Sequence, residues 1–290
     1  YFMASLKEVR ARISSVSSTR KITSAMKLVS ASKLRRAQDA ITSYLPYQQQ
    51  LTSMLENFVA SSTEELSLPL TQKREVKRVA IVCISSNSGL CGAFNSNVIK
   101  RTNQLLAEYE DLGKENIILY PIGKRMVTAM RKKDFSIAGS YDFLLDKVNY
   151  SQVVDLVDEL VDLFLSKRVD RIELVYNHFK NAASQEVRSE VFLPIAPVVE
   201  GKRKSLDYIL EPSKDEVVAK LLPKVVRLRL YSAILDSLAA EHGARTTAMQ
   251  VATDNAGELM QELTLMYNKA RQAAITSEII DIVGGSEGLK

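Results

Sequence analysis

The chain is poor in the residues that do chemistry. Its 290 residues include two cysteines, Cys83 and Cys91, and two histidines, His178 and His242. Two cysteines are too few and too poorly spaced for a disulfide framework or for a structural zinc site, which needs four ligands at recognisable intervals. A reducing compartment is the expectation that follows. Cys91 as a nucleophile would need a neighbouring base, and neither histidine stands in a suggestive context. No apolar run approaches the roughly 18 to 20 residues that span a bilayer, and no charged-then-apolar leader opens the chain. Met3 reads as the native start, with Tyr1 and Phe2 a remnant ahead of it. Carboxylates at helical spacing, such as Asp158 and Asp162, read as a solvated face.

Helix breakers are scarce where they matter most. From Ala4 to Ser62 there is no glycine and Pro46 is the sole proline, so residues 3–62 read as one long helix with a possible irregularity at Pro46. Its apolar residues keep a three-four rhythm in one heptad frame: Leu6, Val9, Ile13 and Val16, then Leu34, Ala37, Ile41, Tyr44, Leu51, Leu55 and Phe58. In the middle that frame lands on Arg20, Thr23, Lys27 and Ser30, while Ile22, Met26 and Val29 move to other faces. The seam is polar at its centre.

A second long helix is expected within 205–288. Ser213 followed by Glu216 forms a capping box behind Pro212, and Gly284 and Gly285 give a stop. Its heptad frame runs Leu228, Tyr231, Leu235, Leu238, then His242 and Arg245, then Met249, Ala252, Ala256, Leu259, Leu263, Met266, Ala270 and Ala273. Pro223 falls in the first turns, and Gly243 and Gly257 are weak points.

Between the helices, residues 75–200 alternate short β-branched runs with helical stretches. Strands are expected at 79–85, 117–122, 135–138 and 171–177, and helices at 95–111, 124–133 and 151–167. That order argues an α/β domain, Rossmann-like, with a mainly parallel sheet. The segments 61–74 and 197–204 read as its linkers.

Length then constrains the arrangement. At 1.5 Å per residue the terminal helices would extend about 85 and about 105 Å, whereas a compact globule of this size has a radius of gyration of about 19 Å. The economical solution is a long antiparallel coiled coil of the N- and C-terminal helices joined to a small central α/β domain. With Ser62 and Ser213 at the base of that hairpin, partner positions sum to roughly 275, within about a heptad. Arg20 to Ser30 then lie opposite about Arg245 to Asn255, so the two polar breaks face each other. From about Gln272 onward the C-terminal helix has no partner, yet it carries Ile275, Ile279, Ile280, Ile282 and Val283, a surface that implies a socket in another protein. The net charge of +5 is concentrated on the first helix, where Lys7, Arg10, Arg12, Arg20, Lys21, Lys27, Lys33, Arg35 and Arg36 stand against Glu8, Asp39 and Glu56.

Two long stretches, RISSVSSTRKITSAMKLVSASKLRRAQ near the N-terminus and TTAMQVATDNAGELMQELTLMYNKARQAAITSEIIDIVGG near the C-terminus, closely resemble the gamma subunit of bacterial F-type ATP synthases. SNSGLCGAFN resembles that family's turn after the first strand of its α/β domain, with Asn87 where an acidic residue is usual. The resemblance brackets almost the whole chain. It implies a rotor shaft that stands in a ring of three alpha and three beta subunits, rests on the c-ring beside the epsilon subunit, and couples proton flow to ATP synthesis. Such a chain is a non-catalytic subunit with no cofactor and no metal, peripheral at the cytoplasmic face of the bacterial inner membrane. By matching motif positions, Arg245, Gln272 and Thr276 would contact the surrounding ring, with Arg271 and Glu278 beside them. Met26 and Lys27 would lie near acidic moving loops of beta subunits, and Tyr208 at the foot near the c-ring. No inserted cysteine pair is present, so the thiol regulation of chloroplast members is not expected.

Two other classes compete with this reading. A basic coiled-coil arm can grip RNA phosphates, which explains the charge and leaves the apolar overhang unexplained. Gly89 and Gly92 after a strand suggest a phosphate loop, but their spacing fits neither GxGxxG nor a P-loop.

Overall fold

The structure, a computed structural model, describes residues 6–60, 69–133, 135–195, 211 and 214–287. Its elements are α1 (Leu6–Ala60), β1 (Val79–Ile84), α2 (Phe94–Glu108), β2 (Ile117–Ile122), α3 (Lys124–Arg131), β3 (Ser136–Ile137), α4 (Tyr150–Leu165), β4 (Arg171–Asn181), β5 (Ser184–Leu193) and α5 (Lys214–Glu287). The expected capping residue Ser213 and most of both linkers lie outside the described residues. Two compact units result. One holds Ala31–Arg245; the other holds the chain up to Ser30 together with the chain from Thr246 onward.

In the first unit a five-stranded sheet runs β3-β2-β1-β4-β5, parallel throughout except for the last pair. β1, VAIVCI, is buried at every position, as a central parallel strand must be when helices cover both faces. Its alternate residues feed two cores. Ala80, Val82 and Ile84 pack with Val153, Leu156 and Leu160 of α4 and with Leu222, Val226 and Leu230 of α5. Val79, Ile81 and Cys83 pack with Val98 and Leu105 of α2 and with Met126 and Met130 of α3. Helix, sheet and helix thus form three layers.

The sequence reading had no β5. That strand pairs antiparallel with β4, whose hairpin turn is closed by Asn181: its side-chain oxygen accepts from the backbone N–H of Ala183 (3.0 Å) and Ser184 (2.8 Å), an Asx turn. Strand order reverses at β1, because β2 and β3 lie on one side and α4 returns the chain to β4 on the other. The crevice at the carboxyl ends of β1 and β4 is where doubly wound sheets take their ligands.

Within this unit α5 is buried nearly all round, from Leu228 to Arg245, so a heptad stripe understates its packing. Tyr44 of α1 donates to the Leu228 carbonyl (2.9 Å) and sits edge-on to Tyr231, which is edge-on to Tyr150 of α4; burial pushes the Tyr44 phenol up to about 12. Asp158, expected on a solvated face, instead accepts a two-bond fork from Arg227 of α5 at 2.8 Å for each bond. That geometry ties α4 to α5.

In the second unit α1 and α5 run antiparallel. Lys27 Nζ donates to Gln250 Oε1 (2.6 Å), Thr253 Oγ1 donates to Thr23 Oγ1 (2.8 Å), and the Arg20 guanidinium lies over Gly257. The register falls within about two residues of the expected one. On α1 the heptad frame is covered at Leu6, Val9, Ile13, Val16, Thr23, Lys27 and Ser30, with Arg20 exposed, and Ser17, Ser24 and Met26 beside it are half-buried too. On α5 part of the frame is corrected. Met249, Ala252, Ala256, Leu263 and Ala270 are covered as expected, Ala252 together with its neighbour Thr253, but the later intervening positions are Met260, Tyr267 and Ala274, one residue after Leu259, Met266 and Ala273. Leu259 and Met266 face outward. α1 passes through Pro46 without a break, and α5 passes through Pro223 and on through Gly284 and Gly285 to Glu287.

Candidate functional site

Two regions carry more than packing: the turn after β1, and the surface of the helix pair.

The turn is built from serine and asparagine side chains that replace sheet bonds. The Ser85 backbone N–H still donates to the Ile122 carbonyl (2.8 Å), and its hydroxyl accepts from the Met126 N–H (2.9 Å) at the start of α3. Ser86 donates through both N–H and hydroxyl to Asn95 Oδ1 on α2, each at 3.0 Å. Asn87 accepts from the Lys124 N–H (3.1 Å) and donates to the Asp142 carbonyl (3.0 Å) and to Asp146 Oδ1 (2.9 Å). A carboxylate at position 87 could not make the last two bonds. The bracing supports strain: Leu90 has φ +62° while 65% exposed, and Gly92 has φ +59°. A left-handed leucine costs on the order of 1 kcal/mol.

Arg245 of α5 reaches this turn from inside. Its Nη2 donates to Ser88 Oγ (2.9 Å) and to the Gly89 carbonyl (3.3 Å), and its Nη1 donates to Glu241 Oε1 (2.6 Å) one helical turn back. The residue is only 7% exposed. A small apolar cluster of Cys91, Phe94, Ala240 and Ala244 lies beside it. Burial holds the Glu241 carboxyl above its usual range, against the pull of Arg245 and Lys33. Burial, with Arg245 and Lys33 adding, drops His242 to about 4, so the imidazole is neutral near pH 7 and its Nδ1 faces Arg245 Nη1 at 3.4 Å.

The chain's own guanidinium therefore binds the turn after β1, the segment a ligand at this end of the sheet would use. Burial also raises the Cys91 thiol, which disfavours a thiolate there. A cleft of about 1140 Å³ lies between α1, β4, β5 and α5, but several of its charged groups are engaged within the fold. Arg229 donates to the Val191 and Phe192 carbonyls, Arg74 to the Phe164 carbonyl, and His178 to Asp236. Among the described residues no group of His, Cys, Asp or Glu could hold a metal ion, and no helix is long and apolar enough to cross a membrane.

On the helix pair the expected contact residues separate. Met26 is half-buried, and so is Lys27, whose ammonium is held by Gln250. Arg271, Gln272, Thr276 and Glu278 are exposed, with the Thr276 hydroxyl donating to the Gln272 carbonyl (2.9 Å). Arg245 is the exception, buried in the other unit. Tyr208 lies outside the described residues. What joins the exposed polar residues is an apolar surface of Ile275, Ile279, Ile280, Ile282 and Val283, each about half or more exposed. Helical spacing interleaves the two kinds, with Gln272, Thr276, Ile279 and Val283 on one face and Arg271, Ile275, Glu278 and Ile282 on the next. Ile22, Leu28 and Val29 of α1 and Val251 and Leu265 of α5 add exposed apolar area. Leu28, Val251 and Leu265 are not among the residues the sequence pattern singles out, where their signal is an apolar residue off the seam.

A model of the ATP synthase family matches residues 5–289. The ATP synthase gamma chain of Bacteroides fragilis is 52% identical over 98% of this chain and 99% of its own length, and that of Phocaeicola vulgatus is 50% identical with the same coverage. The Flavobacterium johnsoniae gamma chain is 51% identical over 99% of both. Among solved structures, a chain of the Tetrahymena thermophila mitochondrial ATP synthase central stalk and c-ring superposes with a TM-score of 0.59 at 25% identity, covering 80% of this chain and 99% of that one. A chain of the Euglena gracilis mitochondrial ATP synthase gives a TM-score of 0.67 at 20% identity over 98% and 94%.

Proposed function

The chain belongs to the ATP synthase gamma-chain family, and from that premise we propose that it is the rotor shaft of the complex, a subunit that transmits torque and carries no catalytic group of its own. Its partners in this reading are three alpha and three beta subunits around the helix pair, with the c-ring and the epsilon subunit at the α/β domain. The assembly sits at the cytoplasmic face of the bacterial inner membrane. An asymmetric shaft touches three chemically identical sites differently, so turning it changes each site's affinity in sequence. That is coupling free energy delivered through differential contact.

The observation that carries this reading is the end of α5. Ile275, Ile279, Ile280, Ile282 and Val283 remain exposed on the described helix pair, and burying each in a socket is worth about 1.5–3 kcal/mol. Arg271, Gln272, Thr276 and Glu278 interleave with them and supply orientation, while Met26 and Lys27 meet acidic loops at the basic stretch of α1. An RNA-binding arm would have no use for the isoleucines.

Co-expression with alpha and beta subunits tests the proposal, scoring both complex formation and ATP hydrolysis by the complex. A stable complex with hydrolysis is expected. Salt-sensitive RNA binding with no such complex would replace the reading with its rival.

A further inference from the structure

We propose that Arg245 is a clamp that makes α5 and the α/β layers turn as one body, a positioning residue for torque transfer that acts through the turn after β1. The inference rests on the rotor reading above and goes beyond it in naming where the hand-over occurs.

Three observations combine. First, the turn after β1, at the end of the sheet where doubly wound folds take ligands, is bonded by the Arg245 guanidinium through Ser88 and Gly89. A side chain of α5 thus holds a turn that elsewhere would face a mobile molecule. Second, Arg245 is the last residue that α5 contributes to its unit, and the helix continues unbroken into Thr246. The bonds to Ser88 and Gly89 thus lie at the end of the stretch of α5 that belongs to this unit. Third, both ends of the clamp are braced. Glu241 fixes the guanidinium from one side (2.6 Å), leaving Nη2 for Ser88 and Gly89. The gripped turn is tied to β2 and α3 through Ser85, to α2 through Ser86, and to the segment after β3 through Asn87. A force on the turn is therefore shared by both sides of the sheet rather than borne by one loop.

Stability alone does not call for this arrangement. A buried Arg–Glu pair is often replaced by apolar residues of similar volume at no net cost; methionines would fill the space but give no directional bond to the turn. That difference separates clamp from packing. Two variants test it in the assembled complex: Ser88→Ala, which removes an acceptor and keeps the ion pair, and the double variant Glu241→Met/Arg245→Met, which exchanges the pair for packing.

The readout is the angular spread of a probe bead on the α/β unit during the catalytic pause, with the melting temperature of the free chain as control. The expected result is a melting temperature close to the parent's and a widened angular spread, greater in the double variant than in Ser88→Ala. Unchanged spread in a variant that folds overturns the clamp. Should the double variant fail to fold, the spread of Ser88→Ala decides alone. Failure of the parent chain to assemble at all would strike the rotor reading instead.

Discussion

Asn87 donates its side-chain amide to Asp146 Oδ1 across 2.9 Å while its carbonyl oxygen accepts from the Lys124 N–H, so one neutral side chain serves a carboxylate and a helix start together. An aspartate could keep the bond to Lys124 but would face Asp146 and the Asp142 carbonyl with no donor. Asn87→Asp is expected to destabilise the α/β unit by about 1 kcal/mol. Denaturant unfolding at pH 7 measures it. A variant as stable as the parent at pH 7 would show that the amide is not bonded as described.

Glycines 243 and 257 should respond to alanine with opposite signs. Both lie in α5, where alanine is favoured over glycine by about 1 kcal/mol in propensity. A Cβ on Gly243 would meet the Phe179 ring at 2.9 Å and the Ala182 backbone at 3.3 Å, whereas a Cβ on Gly257 would meet only the Arg20 side chain at 3.8 Å. The ring must shift in the first case and nothing need move in the second. Gly243→Ala should therefore lower the melting temperature and Gly257→Ala raise it; two shifts of the same sign would contradict the packing.

Both long helices could be read from sequence because propensity, missing breakers and heptad spacing agreed over many turns. Register followed from length, and the contacts of Thr23 and Lys27 fall close to it. The intervening α5 seam could not be chosen from spacing, because Leu259 and Met260, and likewise Met266 and Tyr267, offer adjacent apolar residues. Partner packing selects the later residue of each pair. β5 went unread although Val187 and Val191 alternate with polar residues, since its turn uses the Asn181 side chain rather than a glycine. Arg245 was legible as a polar break in the seam but not in its direction: its bonds to Ser88 and Gly89 span more than 150 residues of chain, and no local pattern encodes them.

His242 should make the α/β unit acid-sensitive in a defined window. Its folded pKa of about 4 lies below the ordinary 6.5, so the unfolded chain binds the extra proton first. The stabilisation is full above about 6.5 and is lost as pH falls toward 4, a range worth roughly 3 kcal/mol. Arg245 and Lys33 are the cations that oppose protonation. Glu241, whose carboxyl is raised, acts in the other direction, because acidification relieves the cost of its buried charge. His242→Gln should flatten the decline in melting temperature between pH 6.5 and 4. Parallel declines in variant and parent would assign the acid sensitivity elsewhere.

Removing the end of α5 should separate folding from docking. Every described side chain from Ser277 to Val283 is exposed, and surface positions of this kind change stability by about 0.5 kcal/mol or less. A chain ending at Thr276 should keep its helical circular dichroism, less the deleted turns, and its melting temperature. The same deletion takes away Ile279, Ile280, Ile282 and Val283, and a socket that buried them would lose about 1.5–3 kcal/mol for each. In the complex with alpha and beta subunits the shortened chain should dissociate faster on dilution, by orders of magnitude if all four are buried, while Gln272 and Thr276 still orient what remains. Loss of the fold itself would mean that these residues are core and that the seam of the helix pair extends further along α5. Unchanged dissociation with an intact fold would leave the isoleucines without a socket, and the apolar end would no longer support the rotor reading.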